Sequence, residues 1–180
     1  MIEFNKVTTR GGDRGESGLY NGERRSKHDM LFEALGDVDE LTASLGVVRA
    51  ELGELHAGDS IFEAQQVLFK IGAQVATPSG DPLYKKIRKV EPGDIETIEL
   101  HLKRLLDRTE IGRQFITPGE QRRSALIDVA RTVCRRAERS IVRCVRERRM
   151  SNLAESQNYL NRLSDYLFVL ARASEQDKLS

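Results

Sequence analysis

The fold is decided by two stretches near the C-terminus, VARTVCRRAERSIV (residues 129–142) and YLNRLSDYLFVLAR (residues 159–172). At 100° per residue, each stretch forms a helix with an apolar row on one side and a polar row opposite. The apolar rows are Leu126, Val129, Val133, Ala137, Ile141 and Cys144, then Leu153, Leu160, Leu163, Leu167 and Leu170. The polar rows are Arg131, Arg135 and Glu138, then Asn161, Asp165, Phe168 and Arg172. Rows this ordered predict a surface that meets a ligand or a second subunit.

Three further helices are expected before these two. Apolar spacing predicts the first over about residues 27–52, with Leu31, Leu35, Val38, Thr42 and Leu45 as its row. A capping box, Ser60 with Glu63, predicts the start of the second, which runs toward Pro78. The third is expected to follow Pro92 and to continue to about residue 108.

The last two helices also carry predicted start signals. Thr117, Pro118 and Glu120 suit the N-cap, first turn and capping box of the fourth helix, and Asn152 with Glu155 suits the start of the fifth. Strand alternation is limited to residues 2–7. The sequence therefore predicts an all-α, antiparallel five-helix bundle with a ferritin-like four-helix core plus one. It is expected to be one domain, with residues 1–26 as an N-terminal loop segment and 27–180 as the bundle.

Charge and composition restrict the function classes. The 29 basic and 28 acidic residues nearly cancel, but residues 121–149 hold ten Arg against three acids, which suits an anionic partner. No apolar run approaches the roughly 20 residues that span a bilayer, so a protein of the cytoplasm, or of an organelle after processing, is expected. Cys134 and Cys144 lie about 15 Å apart along one helix, beyond disulfide reach. Without a CxxC or a His cluster, no protein-held metal is predicted.

A glycine-rich segment, TTRGGDRGESGLYNG (residues 8–22), contains five Gly and cannot form a regular helix. Glycine lets backbone N–H groups approach an anion closely, and Thr9, Arg10, Arg14 and Ser17 add donors, although no Walker A motif is present. A flexible N-terminal arm is the alternative reading. Lys27 and the arginine row of the fourth helix would complete a site for a polyanion such as a triphosphate.

Several motifs in order resemble one family. TRGGDRG with ERRSK, EALGDVDEL, QQVLFKIGAQVATP, FITPG, VARTVCRRAER and NYLNRLSDYLFVLAR are similar to successive motifs of the PduO-type ATP:cob(I)alamin adenosyltransferases. The resemblance implies a homotrimer of five-helix bundles that binds ATP and a reduced corrinoid between adjacent subunits. It also implies Mg²⁺ with the ATP, a reductase as electron source, and an adenosylcobalamin-dependent enzyme that receives the product.

The resemblance carries roles over to individual residues. Those expected to bind the nucleotide are Thr9, Arg10, Gly11, Gly12, Asp13, Gly15, Ser17, Gly18, Lys27, Arg135, Arg136, Glu138, Arg139 and Asn161. Asp39 and Arg131 resemble an intersubunit ion pair beside the active site, and Phe115 resembles the aromatic residue beneath the corrin ring. The departures from the family pattern include Thr117, Glu120, Asn21, Gly18, Thr42 and Asp128, the last replacing a His.

The reaction implied is displacement at the ribose 5′-carbon of ATP by Co(I), with tripolyphosphate leaving. Because Co(I) is already a strong nucleophile, no Ser, Cys or His base is needed. Phe115 could instead be a hydrophobic staple or core residue, and Arg131 and Arg135 could be solvated or paired with Glu138 and Asp128. An adenosylcobalamin escort with little turnover is the alternative function. Nucleic-acid binding is disfavoured, since few aromatics accompany the arginines.

Overall fold

Five α-helices make up most of the computed structural model, which describes residues 8–53, 55 and 57–179. They are α1 (Met30–Leu52), α2 (Ala57–Val75), α3 (Pro92–Leu106), α4 (Arg122–Glu147) and α5 (Ala154–Glu175), with short 3-10 turns at Pro82–Lys85 and Ser151–Leu153. The predicted helical fold is confirmed. A small antiparallel sheet of β1 (Glu16–Gly18) and β2 (Arg24–Ser26) was not predicted. The strand prediction at residues 2–7 lies outside the described residues.

Neighbouring helices run antiparallel, as their ion pairs show. Glu33 of α1 pairs with Arg143 of α4, whereas Asp37, one turn later in α1, pairs with Arg136, two turns earlier in α4. Between α4 and α5, Asn161 donates to Glu138. The bonded pairs therefore progress in opposite directions along α1 and α4, and this register fixes which α4 side chains remain open.

The last predicted apolar row is confirmed, since Leu153 in the turn before α5 and the four leucines of α5 are completely buried. The row of α4 is correct from Val133 onward but wrong at its start, where Val129 is 56% exposed. Ile127 and Ala130 fill the core there instead. The small Ala130 allows close helix packing, and Val129, one residue and 100° away, is turned out of the core.

Arg172 was predicted on the open polar row of α5, and this is wrong. The residue is 3% exposed, with its guanidinium against Asp128. An arginine can lie inside the protein when a carboxylate compensates its charge. The polar row of α5 therefore ends at Phe168, which is half-buried.

Two predicted helix starts are wrong because their side chains serve other contacts. Ser60 lies inside α2, where its hydroxyl contacts the carbonyl of Ala57 and the hydroxyl of Tyr166. Asn152 lies in a 3-10 turn, and its side chain donates to the hydroxyl of Tyr84. A polar side chain that finds a partner elsewhere in the fold is no longer available as a local cap.

The predicted start of α4 is also wrong. The helix begins at Arg122 with Gln121 as its N-cap residue, so Thr117, Pro118 and Glu120 precede it in irregular, exposed chain. The start of α3 was predicted correctly at Pro92, where the N–H of Glu91 is bonded to Asp94. At α1, the side chain of Asp29 accepts from the Leu31 N–H, so the helix begins three residues later than expected.

Cys134 and Cys144 are both buried free thiols, as the sequence indicates. Burial raises the pKa of Cys144 to about 11 and raises that of Cys134 as well. Within the part of the chain that is described, no helix combines the length and apolar character required for a membrane span.

Candidate functional site

The glycine-rich segment folds into a compact loop closed by its own backbone. The N–H of Asp13 donates to the Arg10 carbonyl at 3.3 Å, and that of Gly15 donates to the Gly12 carbonyl at 3.1 Å. Gly15 has φ of 78°, a conformation that favours glycine. Just beyond it, β1 and β2 pair Ser17 with Arg25. The segment therefore forms hydrogen-bonded turns in the structure, and a flexible arm stays the alternative prediction.

Lys27 lies directly over this loop. A β-carbon at Gly12 would be 2.8 Å from Lys27 Nζ, so the ammonium group packs where a side chain would otherwise stand. The N–H of Lys27 donates to the Gly15 carbonyl at 2.8 Å and holds the lysine at the end of the hairpin. Among the described residues, the backbone N–H groups of Gly12 and Arg14 have no acceptor. The loop thus offers a cation and open N–H donors at one place.

The other nucleotide-binding candidates of the loop are also on its surface. Thr9 Oγ1 lies 3.5 Å from the N–H of Gly11, whose carbonyl accepts from Arg24. Asp13 and Gly18 are exposed, and Ser17 is half-buried within β1. The loop residues that the sequence grouped together are therefore close to one another in the structure.

On α4, the basic residues divide between two surfaces. Arg136 binds Asp37 and Glu40 of α1, and the carboxylates raise its pKa, with Glu40 the larger contributor. Arg135 and Arg139 are exposed on another side of the helix, and the guanidinium of Arg139 donates to the Arg135 carbonyl at 3.0 Å. Among the described residues, none bonds to the guanidinium of Arg135, whereas that of Arg136 is bound between α4 and α1.

Next to the open arginines, α4 and α5 share a polar contact. Asn161 Nδ2 donates to Glu138 Oε1 at 3.1 Å, and Asn161 Oδ1 accepts from Arg162. Arg162 also pairs with Asp165 at 3.2 Å. Glu138 and Asn161 were predicted on separate helices to belong to one site, and the structure brings them into direct contact.

In a single chain, the loop and Arg135 are far apart. Arg148, at the C-terminal end of α4, binds Asp29, and Asp29 in turn contacts Arg25 of β2. At 1.5 Å per residue, Arg135 lies about 20 Å further along the helix axis. No described residue of the loop bonds to Arg135. The two halves of the candidate anion site are therefore not joined within one chain.

Arg131 and Asp39 are likewise separate in one chain. Arg131 Nε donates to Asp128 Oδ1 at 2.8 Å, so the sequence alternative that paired these two residues is confirmed. Asp39 is exposed on α1 and lines a groove of about 510 Å³ between α1 and α2. Phe69, which is 63% exposed, lines the same groove. Asp39 and the exposed Phe69 therefore lie on one face of the protein. Val129 and the exposed arginines of α4 lie on another.

Phe115 lies on a segment with little support of its own. Residues 110–122 are all exposed, and Phe115 itself has a completely exposed side chain. The staple and core alternatives for Phe115 are therefore wrong. At the start of this segment, the Gln176 side chain accepts from the N–H of Glu110 at 3.0 Å and donates to its carbonyl at 2.7 Å. At the end, Gln121 donates to the Glu175 carbonyl at 3.4 Å.

Sequence patterns missed the contacts that organise these candidates. Gln176, which holds the Phe115 segment, follows α5 and belongs to no motif. The Asp128–Arg172 pair joins residues 44 apart in sequence. Helical spacing placed Arg131 next to Asp128, but it could not indicate that Arg172 of another helix approaches the same carboxylate.

The sequence also matches characterised proteins. The sequence model of a family described as "Cobalamin adenosyltransferase" matches residues 7–174. Corrinoid adenosyltransferase of Citrobacter freundii is 34% identical over 170 residues, covering 94% of this chain and 95% of that protein. Human corrinoid adenosyltransferase MMAB is 36% identical over 172 residues, covering 93% of this chain and 68% of that protein.

The fold agrees with a solved structure of a phenylalanine-to-alanine variant of a PduO-type ATP:corrinoid adenosyltransferase from Lactobacillus reuteri, complexed with cobalamin and ATP. The TM-score is 0.86 at 30% identity, and the match covers 94% of this chain and 93% of that chain. Sequence and fold agree over nearly the whole length, and the chain belongs to the cobalamin adenosyltransferase family.

Proposed function

We propose that this protein transfers the 5′-deoxyadenosyl group of ATP to the cobalt of cob(I)alamin, releasing tripolyphosphate and forming adenosylcobalamin. The observation that carries this proposal is the Lys27 ammonium packed over Gly12, in a loop with open N–H donors. Family membership supplies the reaction class, and the Lactobacillus reuteri relative binds both ATP and cobalamin. The test is an anaerobic assay with ATP, Mg²⁺ and chemically reduced cobalamin, which should consume the Co(I) absorbance and yield adenosylcobalamin.

In this reaction, the cobalt electron pair forms the bond to the 5′-carbon while the bond from that carbon to oxygen breaks. The electron pair of the broken bond leaves with tripolyphosphate, so negative charge grows on the leaving group. Lys27, Arg135 and the loop N–H groups would stabilise that charge, as fixed donors do in other enzymes. Thr9, Arg10, Gly11, Asp13, Ser17, Gly18 and Arg139 would complete the phosphate surroundings, and Glu138 and Asn161 would contact the nucleoside.

Mg²⁺ would accompany the triphosphate and neutralise part of its charge. Magnesium in nucleotide sites is usually held by one or two carboxylates together with phosphates and water. Asp13 fits this role, because its exposed carboxylate has no ion-pair partner in the described part of the chain. The described residues contain no cluster of His, Cys, Asp and Glu that would hold a metal without the nucleotide.

We infer that the active site forms between chains of a homotrimer. Two observations support this. Arg135 lies about 20 Å along α4 from Arg148, whose partner Asp29 contacts Arg25 of β2, and the groove beside Asp39 leaves Phe69 exposed. In the assembly, Asp39 of one chain would pair with Arg131 of the next. Sedimentation equilibrium should give three times the mass of the chain, whereas an active monomer would contradict the inference.

Phe115 would pack against the lower face of the corrin ring and exclude the lower axial ligand. The cobalt would then be four-coordinate. Support comes from its exposure, since an apolar ring outside the core remains available to cover a ligand. Without the lower ligand, reduction of Co(II) to Co(I) becomes easier. Paramagnetic resonance of the enzyme with Co(II)-cobalamin and ATP should therefore show four-coordinate cobalt.

The remaining assignments follow from this proposal. A reductase would supply the electron, and an adenosylcobalamin-dependent enzyme would accept the product. The free thiols of Cys134 and Cys144 support a reducing compartment such as the cytoplasm. The helices would form a ferritin-like four-helix core plus one, in one domain, with residues 1–26 as the phosphate-binding segment ahead of the bundle.

A further inference from the structure

A buried carboxylate, Asp128, is shared by two arginines from different helices. Its Oδ1 accepts from Arg131 Nε at 2.8 Å within α4, and its Oδ2 accepts from Arg172 Nη2 at 2.6 Å from α5. The Asp128 side chain is only 4% exposed. Both oxygens therefore bond to guanidinium groups at a place that water scarcely reaches.

Of the two arginines that bind Asp128, Arg172 is the one whose guanidinium is buried and held by several contacts. Its side chain is 4% exposed, and Nη2 also lies 3.0 Å from Glu175 Oε1, in ion-pair range without hydrogen-bond alignment. Its guanidinium lies 5.8 Å from the ring centre of Phe168. A buried arginine held by two carboxylates and a ring has little freedom to move, so it fixes the carboxylate that it binds.

Arg131, the other arginine that binds Asp128, has a partly exposed guanidinium. Its side chain is 23% exposed, and Nε is the only atom of its guanidinium that bonds to a described residue. The terminal nitrogens Nη1 and Nη2 stay available for another carboxylate. An arginine held through Nε presents its two other donor nitrogens in a defined direction, because the guanidinium group is planar and rigid.

We propose that Asp128 is a positioning residue, which locks Arg131 through Nε so that Nη1 and Nη2 meet a carboxylate of a second chain. This inference rests on the proposed intersubunit role of Arg131. The positioning carboxylate stands at position 128, three residues before Arg131 on α4. With a carboxylate there, Arg131 is oriented before the chains meet, and assembly loses less side-chain freedom.

A double-mutant cycle tests this positioning role. Asp128→Asn keeps the shape of the side chain but removes its charge, and it should lower kcat/KM for cob(I)alamin about tenfold. In the Arg131→Ala background, the same change should lower kcat/KM less than twofold, because the group that Asp128 positions is already gone. Equal losses in both backgrounds, or no loss from Asp128→Asn in the otherwise unchanged chain, would overturn the inference.

Arg172→Lys is the matched control. It disturbs the same buried cluster while leaving the Asp128–Arg131 contact in place. We expect a lower melting temperature with kcat/KM within twofold of the unchanged enzyme. If Arg172→Lys lowers kcat/KM equally in the unchanged chain and in the Arg131→Ala background, the buried cluster acts only through the stability of the fold, and the positioning role is wrong.

Assembly gives a second readout that does not depend on turnover. Asp128→Asn should raise the dissociation constant of the oligomer about tenfold, and it should have less than a twofold effect when Arg131 is already Ala. An oligomer that shows this coupling without adenosyl transfer would keep the inference and reject the proposed reaction. Active enzyme in which neither assembly nor kcat/KM shows the coupling would reject the inference and keep the reaction.

Discussion

The glycine-rich loop and the Phe115 segment are both irregular chain, yet they are held in different ways. The loop is closed by its own backbone hydrogen bonds and by the β1–β2 sheet, and Lys27 packs over Gly12. Among the described residues, no backbone hydrogen bond joins two members of residues 110–121. That segment is held at its two ends, through Gln176 and Gln121.

The difference corresponds to the two substrates proposed for the protein. A triphosphate needs several donors at fixed positions, and preorganised donors stabilise growing charge without a reorganisation cost. A corrin ring needs a broad apolar contact, which an exposed phenylalanine can provide once the ligand arrives. Under the proposed function, the loop part of the nucleotide site would be formed in advance, whereas the corrinoid contact at Phe115 would be completed on binding.

The largest expected effect comes from removing a cationic side chain from the proposed nucleotide site. Lys27→Ala and Arg135→Ala should each reduce kcat by about 10²-fold, as loss of one donor to a developing anion commonly does. Stopped-flow decay of Co(I) absorbance at saturating ATP measures this change. Arg146→Ala is the control, since Arg146 is an exposed arginine of α4 that bonds to no candidate site residue in the described part of the chain. Equal losses in all three variants would indicate a diffuse basic surface.

Phe115→Ala tests the proposed corrinoid contact. Turnover from Co(II) should fall about tenfold or more, which corresponds to roughly 1.4 kcal/mol of barrier. The melting temperature should hardly change, because an exposed side chain contributes little to folding. Phe115→Trp should retain more activity than Phe115→Ala. Destabilised Phe115→Ala enzyme that still gives four-coordinate Co(II) would contradict the assignment.

Gly12→Ala makes a smaller change in the loop. The added methyl group would stand 2.8 Å from Lys27 Nζ and would displace the ammonium without unfolding the loop. A weakened charge-assisted contact of about 1 kcal/mol should raise KM for ATP about fivefold. Gly80→Ala is the control, since no atom lies within 4 Å of its new methyl group. An unchanged KM in Gly12→Ala would separate Lys27 from the triphosphate.

The smallest expected effect concerns Asp29, which links the β1–β2 hairpin to α1 and α4. Asp29 caps α1 and pairs with Arg25 and Arg148. Asp29→Ala should therefore lower the free energy of unfolding by about 1 kcal/mol. Asp29→Asn removes the charge but keeps an oxygen that can cap the helix. Thermal unfolding measures both variants. A larger loss in Asp29→Asn than in Asp29→Ala would show that the cap is unimportant.

The same carboxylate has a pH dependence. Desolvation acts to raise the pKa of Asp29, but the Leu31 N–H and the two arginines outweigh it and lower that pKa below its ordinary value. A carboxyl with a lowered folded-state pKa stabilises the fold above its unfolded pKa of about 3.9 and loses that contribution as pH falls through the folded value. The stability difference between wild type and Asp29→Asn should therefore shrink below about pH 4.

Helical periodicity predicted most of the fold, because each helix buries a stripe that repeats with the helix turn. It placed the four leucines of α5, and Leu153 just before them, correctly in the core. It failed at Val129, since a stripe can shift by one residue where a small Ala130 permits close packing. Three of the predicted starts failed for a different reason: Ser60 and Asn152 have partners in distant parts of the chain, and Thr117 lies in exposed chain before α4.

The candidate site was predictable to the extent that it consists of local motifs. The glycine segment and Lys27 are near one another in sequence, and they are near one another in space. Glu138 and Asn161 are on different helices, and they were grouped through the family resemblance before the structure joined them. The Arg172–Asp128 and Gln176–Glu110 contacts depend on how the end of α5 packs, which no local pattern contains.

The separation of the loop from Arg135 along α4 has a genetic consequence. If each active site takes its loop from one chain and its arginine from the next, the Lys27→Ala and Arg135→Ala alleles damage different partners of the same site. Coexpressed in one cell, the two inactive alleles should complement each other. With random mixing into trimers, about one quarter of the sites would combine an intact loop with an intact arginine. Two alleles that each fail alone would then support growth together.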